Sequence, residues 1–257
     1  MVFWPHNVGR RMLDIVDSTN AEGRRIAAET HRPTWIQAGI QTAGRGRFNR
    51  PWLDARGNLA ATLVMPIDEN DIAPLRSFVA ALALYDACRH LADGTSCFRL
   101  KWPNDLLLNR GKMAGILLES IGRGARRHLI AGFGVNLASA PMIIDRDVDA
   151  PPPVSLVGET GRLVTPDDFL PHLAMSFETR EAQLKEAGFE SLRQDWQEAA
   201  DGIGDNVRVS VAGKAYRGKF EGISASGEAV LLMGSERIHL AAGDMIMDSE
   251  NERAPCD

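Results

Sequence analysis

Near Ile203 the chain changes texture, and that change limits what it can fold into more than any other feature of its sequence. Downstream, apolar and polar residues alternate over the short runs 207–211, 215–223, 229–233, 237–240 and 245–247, punctuated by Gly213, Gly227 and Gly243. Runs of that length with a period of two, separated by tight turns, predict a small β-barrel. Upstream the elements are mixed. Residues 12–16, 35–41 and 59–65 read as strands, and Ser18 or Thr19 can cap a helix running to about residue 28. After Asp71 the positions Leu75, Phe78, Val79, Leu82 and Tyr85 fall at helical spacing. Residues 98–101, 106–108, 113–119 and 128–137 read as further strands, the last two joined by a turn at 122–124. Two helices follow, over roughly 166–187 and 189–199. The expectation is an α+β domain over 1–202 and a compact all-β domain over 203–257.

Composition narrows the function classes. A chain of 257 residues has room for one sizeable core and a small second domain. A net charge of −5 gives no reason to expect nucleic acid as a partner. The three cysteines, Cys88, Cys97 and Cys256, show no CxxC spacing, which argues against a disulfide framework and a zinc site. Residues 1–10 lack an apolar leader core, and no stretch approaches a membrane span, so a cytoplasmic protein without a membrane contact is expected. The segment 141–153 is acidic, ends in three prolines and reads as a mobile loop.

Four segments could carry chemistry. Gln41 to Trp52 holds Arg45, Arg47 and Arg50 among Gly44 and Gly46, a flexible cationic flap whose guanidinium forks suit phosphate or carboxylate. A solvated surface turn is the bland alternative. Lys101-Trp102-Pro103-Asn104-Asp105, with Lys112 and Gly115 just beyond, presents a lysine, an amide and a carboxylate at one bend, or is mere strand punctuation. Gly132-Phe133-Gly134-Val135-Asn136 could let a ligand lie against a strand, or relieve crowding in the sheet. Asp17-Ser18-Thr19-Asn20 is a polar helix start, commonly a plain N-cap. No Walker A or complete GxGxxG pattern occurs.

In this order and spacing the four segments resemble the biotin–protein ligase family, by DSTN, GRGR followed by a tryptophan, KWPND, the GK-hydrophobic-AG turn and GxGxN. The resemblance implies a mixed sheet with flanking helices that binds biotin and ATP, followed by a small C-terminal β-barrel. It puts Ser18, Thr19, Asn20, Gln41, Gly44, Gly115, Gly132 and Gly134 beside biotin. Arg45, Gly46 and Arg47 would close over biotin and the phosphates, and Lys112 would lie near the biotin carboxylate and the α-phosphate. Trp52, Lys101, Asn104, Asp105 and Asn136 fall in the nucleotide region, with Asp105 the choice for a Mg²⁺ carboxylate. Lys112, Arg45 and Arg47 are the expected catalytic residues. The implied reaction makes biotinyl-AMP, then biotinylates a lysine of a biotin carboxyl carrier protein or carboxylase domain. A homodimer is also implied as an option.

The sequence departs from the family at three points. Asn49 stands where many members have glycine, and asparagine tolerates positive φ. Phe48 replaces a common basic residue, and 141–153 lacks the tryptophan some members place over adenine. The ligase segment starts within about ten residues of Met1, so no DNA-reading domain or repressor activity is expected. The rivals are a lipoate ligase or a cysteine-dependent octanoyltransferase, and a non-catalytic ligand sensor. No cysteine lies inside a matched motif.

Overall fold

The computed structural model describes residues 3–68, 71–91, 96–142 and 150–247. In chain order these form β1 (Gly9–Val16), α1 (Thr19–Ile26), β2 (Thr34–Gln41), β3 (Leu59–Ile67), α2 (Arg76–Leu91), β4 (Phe98–Lys101), β5 (Asp105–Leu108), β6 (Gly111–Ile121) and β7 (Arg127–Val135). After them come α3 (Leu156–Thr160), α4 (Pro166–Ala199), β8 (Asn206–Val211), β9 (Lys214–Ile223), β10 (Ala229–Met233), β11 (Glu236–Leu240) and β12 (Asp244–Met247).

Seven strands make a mixed sheet in the order β1-β2-β3-β7-β6-β5-β4. Only β1 and β2 run parallel; the other pairs are antiparallel. Burial explains the order. The near-continuous apolar run of β3 is buried on both faces and sits inside the sheet, whereas β1, with Arg10, Arg11 and Asp14, is largely exposed and forms an edge. Against one face pack α2 and α4, joined by the buried Arg76–Glu181 pair at 2.8 Å and by an edge-on contact of Phe177 with Trp35 on β2. Against the other face lies α1. There a Cβ on Gly23 would stand 3.1 Å from Val64 and 3.3 Å from Thr62, so glycine permits the close approach.

The five late strands form an antiparallel sheet, β11-β10-β9-β8-β12, matching the runs read in the sequence. Its apolar face does not build a core of its own. Phe220, Leu231 and Met245 belong to the same buried cluster as Phe78, Leu100 and Trp102.

Several details differ from the sequence reading. The helix α3 was not anticipated, and the two expected late helices are one span broken at Gly188, where φ is 74°. Residues 143–149 of the expected mobile loop lie outside the described residues. The end of that segment is fastened as a strap, with Lys112 N donating to Pro152 O (2.7 Å) and Val154 N to Lys112 O (3.0 Å). Cys88 is free and buried. Among the described residues no helix is long and apolar enough to cross a membrane.

Candidate active site

A cleft of about 530 Å³ lies between the β6–β7 face of the large sheet, the loop after β2 and the start of β12. The four segments meet there. Every residue the resemblance put beside biotin or the nucleotide lines its wall except Gly44, which lies within the loop itself. A Cβ on Gly44 would be 2.9 Å from Trp52 O and 3.1 Å from Gln41 Nε2.

One end is polar and uncharged. Ser18 is the N-cap residue of α1 and makes no side-chain capping bond. Thr19 donates from N and Oγ1 to Gln41 Oε1, at 2.8 and 3.1 Å. Asn20 donates from Nδ2 to Leu117 O (3.2 Å) and Glu119 Oε2 (2.8 Å). Behind both is the fully buried Thr62, its Oγ1 2.8 Å from Thr19 Oγ1 and 2.7 Å from Asn20 Oδ1. Sequence reasoning missed Thr62, Glu119 and also Asp54, whose carboxylate accepts Gln41 N at 3.0 Å and is pushed up by burial. The glycines of the floor seat protein groups rather than only leaving room for a ligand. A Cβ on Gly132 would be 2.0 Å from Asn20 Oδ1, and one on Gly134 2.3 Å from the Trp52 indole.

The other end is cationic. Lys112 Nζ lies 2.7 Å from Asp105 Oδ1, and Lys101 Nζ lies 3.5 Å from Asp105 Oδ2. Burial disfavours the Asp105 carboxylate, yet the two ammonium groups outweigh it and hold its pKa below the ordinary range. Asn104 donates to Ile116 O (2.7 Å), which leaves its Oδ1 to accept from Arg47 at 3.3 Å. Asn136 is buried and donates to Val154 O (3.1 Å), while its Oδ1 has no hydrogen-bond partner among the described residues.

The flap is folded down onto the second sheet. Arg47 Nη1 donates to Gly243 O at 3.0 Å and lies 3.8 Å from Asp244 Oδ1, and Arg50 pairs with the same carboxylate. Burial lowers the Arg47 pKa, with Asp244 and Asp105 opposing it. Arg45 is exposed and bonds Asn49. Asn49 has φ 61°, as its tolerance for that region suggested, but so does the bulkier Phe48, with φ 54°. A bulky residue there costs about 1–3 kcal/mol, and the exposed Phe48 ring sits between the guanidinium groups of Arg47 and Arg50, at 4.9 and 5.6 Å.

Comparison with known proteins identifies the family and the fold. The family profile described as biotin/lipoate A/B protein ligase matches residues 12–136. A biotin–[acetyl-CoA-carboxylase] ligase of Paracoccus denitrificans is 44% identical over 86% of this chain and 92% of its own length. The enzyme of that name from Mycobacterium tuberculosis is 28% identical over 93% of this chain and 90% of its own. In fold, the biotin protein ligase from Aquifex aeolicus, solved with biotin and ATP, superposes with a TM-score of 0.77 at 24% identity, covering 92% of this chain and 97% of that one. The chain belongs to the biotin/lipoate A/B protein ligase family. Within that family it stands with the biotin–protein ligases.

Proposed function

We propose that this enzyme joins biotin to ATP as biotinyl-AMP and then passes the biotin to a lysine of a biotin carboxyl carrier protein or carboxylase domain. The observation that carries the reading is the polarity of the cleft: neutral donors and acceptors at Thr19, Asn20 and Gln41, and cations at Lys112, Lys101 and Arg47 toward the other end. A cyclic urea fits the first end, and a carboxylate meeting a triphosphate fits the second.

In the first step a biotin carboxylate oxygen attacks the α-phosphorus, and the bond to pyrophosphate breaks. Two unit charges ~4 Å apart repel by roughly 4 kcal/mol at an effective dielectric near 20, which nearby cations offset. Asp105 holds Lys112 in place for that task, and the flap arginines close over the phosphates. In the second step the acceptor amine attacks the acyl carbon, the bond to AMP breaks, and the amine loses a proton. No protein nucleophile is needed, and no described cysteine lines the cleft, which favours this reading over an octanoyltransferase.

Mg²⁺ would shield the phosphates. Both Asp105 oxygens face ammonium groups, and no group of three or more His, Cys, Asp or Glu gathers among the described residues. A protein-held Mg²⁺ at Asp105 therefore does not fit; the ion would travel with the triphosphate. The open edge of β1, with Met12 and Ile15 exposed, could accept a second copy or the carrier domain. An enzyme that consumes ATP to modify a carboxylase subunit would work in the cytoplasm. Pyrophosphate release in the presence of ATP should start on adding biotin and not on adding lipoate; the reverse preference would overturn the proposal.

A further inference from the structure

We infer that Thr62, which lies outside the cleft wall, is a positioning residue that fixes which groups of the polar end donate and which accept. The inference rests on the reading of that end as the biotin ureido site. Thr62 is buried on β3, a strand otherwise apolar, and its hydroxyl has two near partners, Thr19 Oγ1 (2.8 Å) and Asn20 Oδ1 (2.7 Å).

The proton directions follow from the partners. Asn20 Nδ2 faces Leu117 O and Glu119 Oε2, both of which only accept, so the Asn20 amide has one orientation and its Oδ1 must point at Thr62. The single Thr62 proton goes to that oxygen. Thr62 Oγ1 is then an acceptor toward Thr19. Gln41 Oε1 also faces Thr19 as an acceptor, because it receives the Thr19 backbone N–H. The Thr19 hydroxyl proton is therefore drawn inward to one of two protein acceptors, and its lone pairs are left for the cleft. Gln41, its oxygen occupied by Thr19 and its amide also meeting Asp54, has only the remaining N–H of its NH₂ to offer a ligand. The pocket thus offers an acceptor and a donor side by side, complementary to the N–H and C=O of a cyclic urea. Without the Thr62 hydroxyl, Asn20 Oδ1 becomes a buried unsatisfied acceptor and the Thr19 proton loses one of its two inward partners.

Thr62→Val removes the hydroxyl and keeps the shape, and Thr62→Ser keeps the hydroxyl and loses a methyl group. By calorimetry Thr62→Val should bind biotin roughly 5- to 150-fold more weakly. Dethiobiotin, which retains the urea ring, should lose affinity in parallel. The KM for ATP and kcat at saturating biotin should stay within about twofold, and Thr62→Ser should restore most of the affinity. If Thr62→Val does not fold, the Ser and Ala variants make the same comparison. Equal losses in the Ser variant and the hydroxyl-free variant, unchanged biotin affinity without the hydroxyl, or parallel losses for biotin and ATP with a lowered Tm would each overturn the inference. A wild-type protein that binds neither biotin nor dethiobiotin would overturn the functional reading itself, and Thr62's role with it.

Discussion

Among single residues, Lys112 and the Asp105 carboxylate beside it are the first to test. Lys112→Ala should reduce adenylate formation far more than biotin binding, because its charge matters most as negative charge builds at the α-phosphate. Calorimetry and pyrophosphate release separate the two effects; equal losses would make Lys112 a docking residue only. Asp105 also marks the pH dependence of stability. Its folded pKa lies below the unfolded value of about 3.9, so its stabilisation is present above that value and fades as pH falls through the folded one. Asp105→Asn should flatten the acid limb of a stability–pH curve measured by urea unfolding. An unchanged acid limb would mean that the lysines do not hold it. Lys112 and Asp105 were singled out through the family resemblance, because the bend that carries Asp105 also reads by itself as strand punctuation. Thr62 was not, because a threonine inside an apolar strand also reads as an ordinary β-branched residue.

At the scale of elements the flap is the part most open to test. Arg47 and Arg50 are held by Gly243 and Asp244, so the loop after β2 is anchored by the start of β12. Arg47→Gly removes a charge-assisted contact worth about 1.5–3 kcal/mol and adds backbone freedom. If that energy appears in dissociation, the intermediate escapes roughly 10- to 150-fold faster. Biotin should then appear on a bystander such as albumin when no carrier domain is present. Asp244→Ala should give the same leak in weaker form. Bystander labelling at the wild-type level, with adenylate still made, would show that neither residue is the latch. Of this element the sequence showed the cationic loop and the backbone freedom at Asn49. It did not show the anchor, because Asp244 lies almost two hundred residues further on and only the folded chain brings the two together.

At the scale of the whole molecule the second sheet is a partner in the core and not an appendage. Phe220, Leu231 and Met245 share one buried cluster with Phe78 and Trp102, and a Cβ on Gly227 would be 2.5 Å from the Phe78 ring. We expect one cooperative transition when urea unfolding is followed by tryptophan fluorescence and by far-UV dichroism, despite the change of texture at 202/203. Two separated transitions would mean that the sheets fold independently. The strands were readable from their periodicity, but the sharing of the core was not, since alternation shows that a face is buried and not what buries it. The central claim, ATP-driven transfer of biotin to a carrier lysine, is tested most directly by mass spectrometry of a purified biotin carboxyl carrier domain after incubation with this enzyme, ATP and biotin. One added biotinyl group on the carrier is expected, lost when ATP is omitted or the acceptor lysine is replaced by arginine. An unmodified carrier, or a lipoyl group added in its place when both acids are supplied, would contradict it.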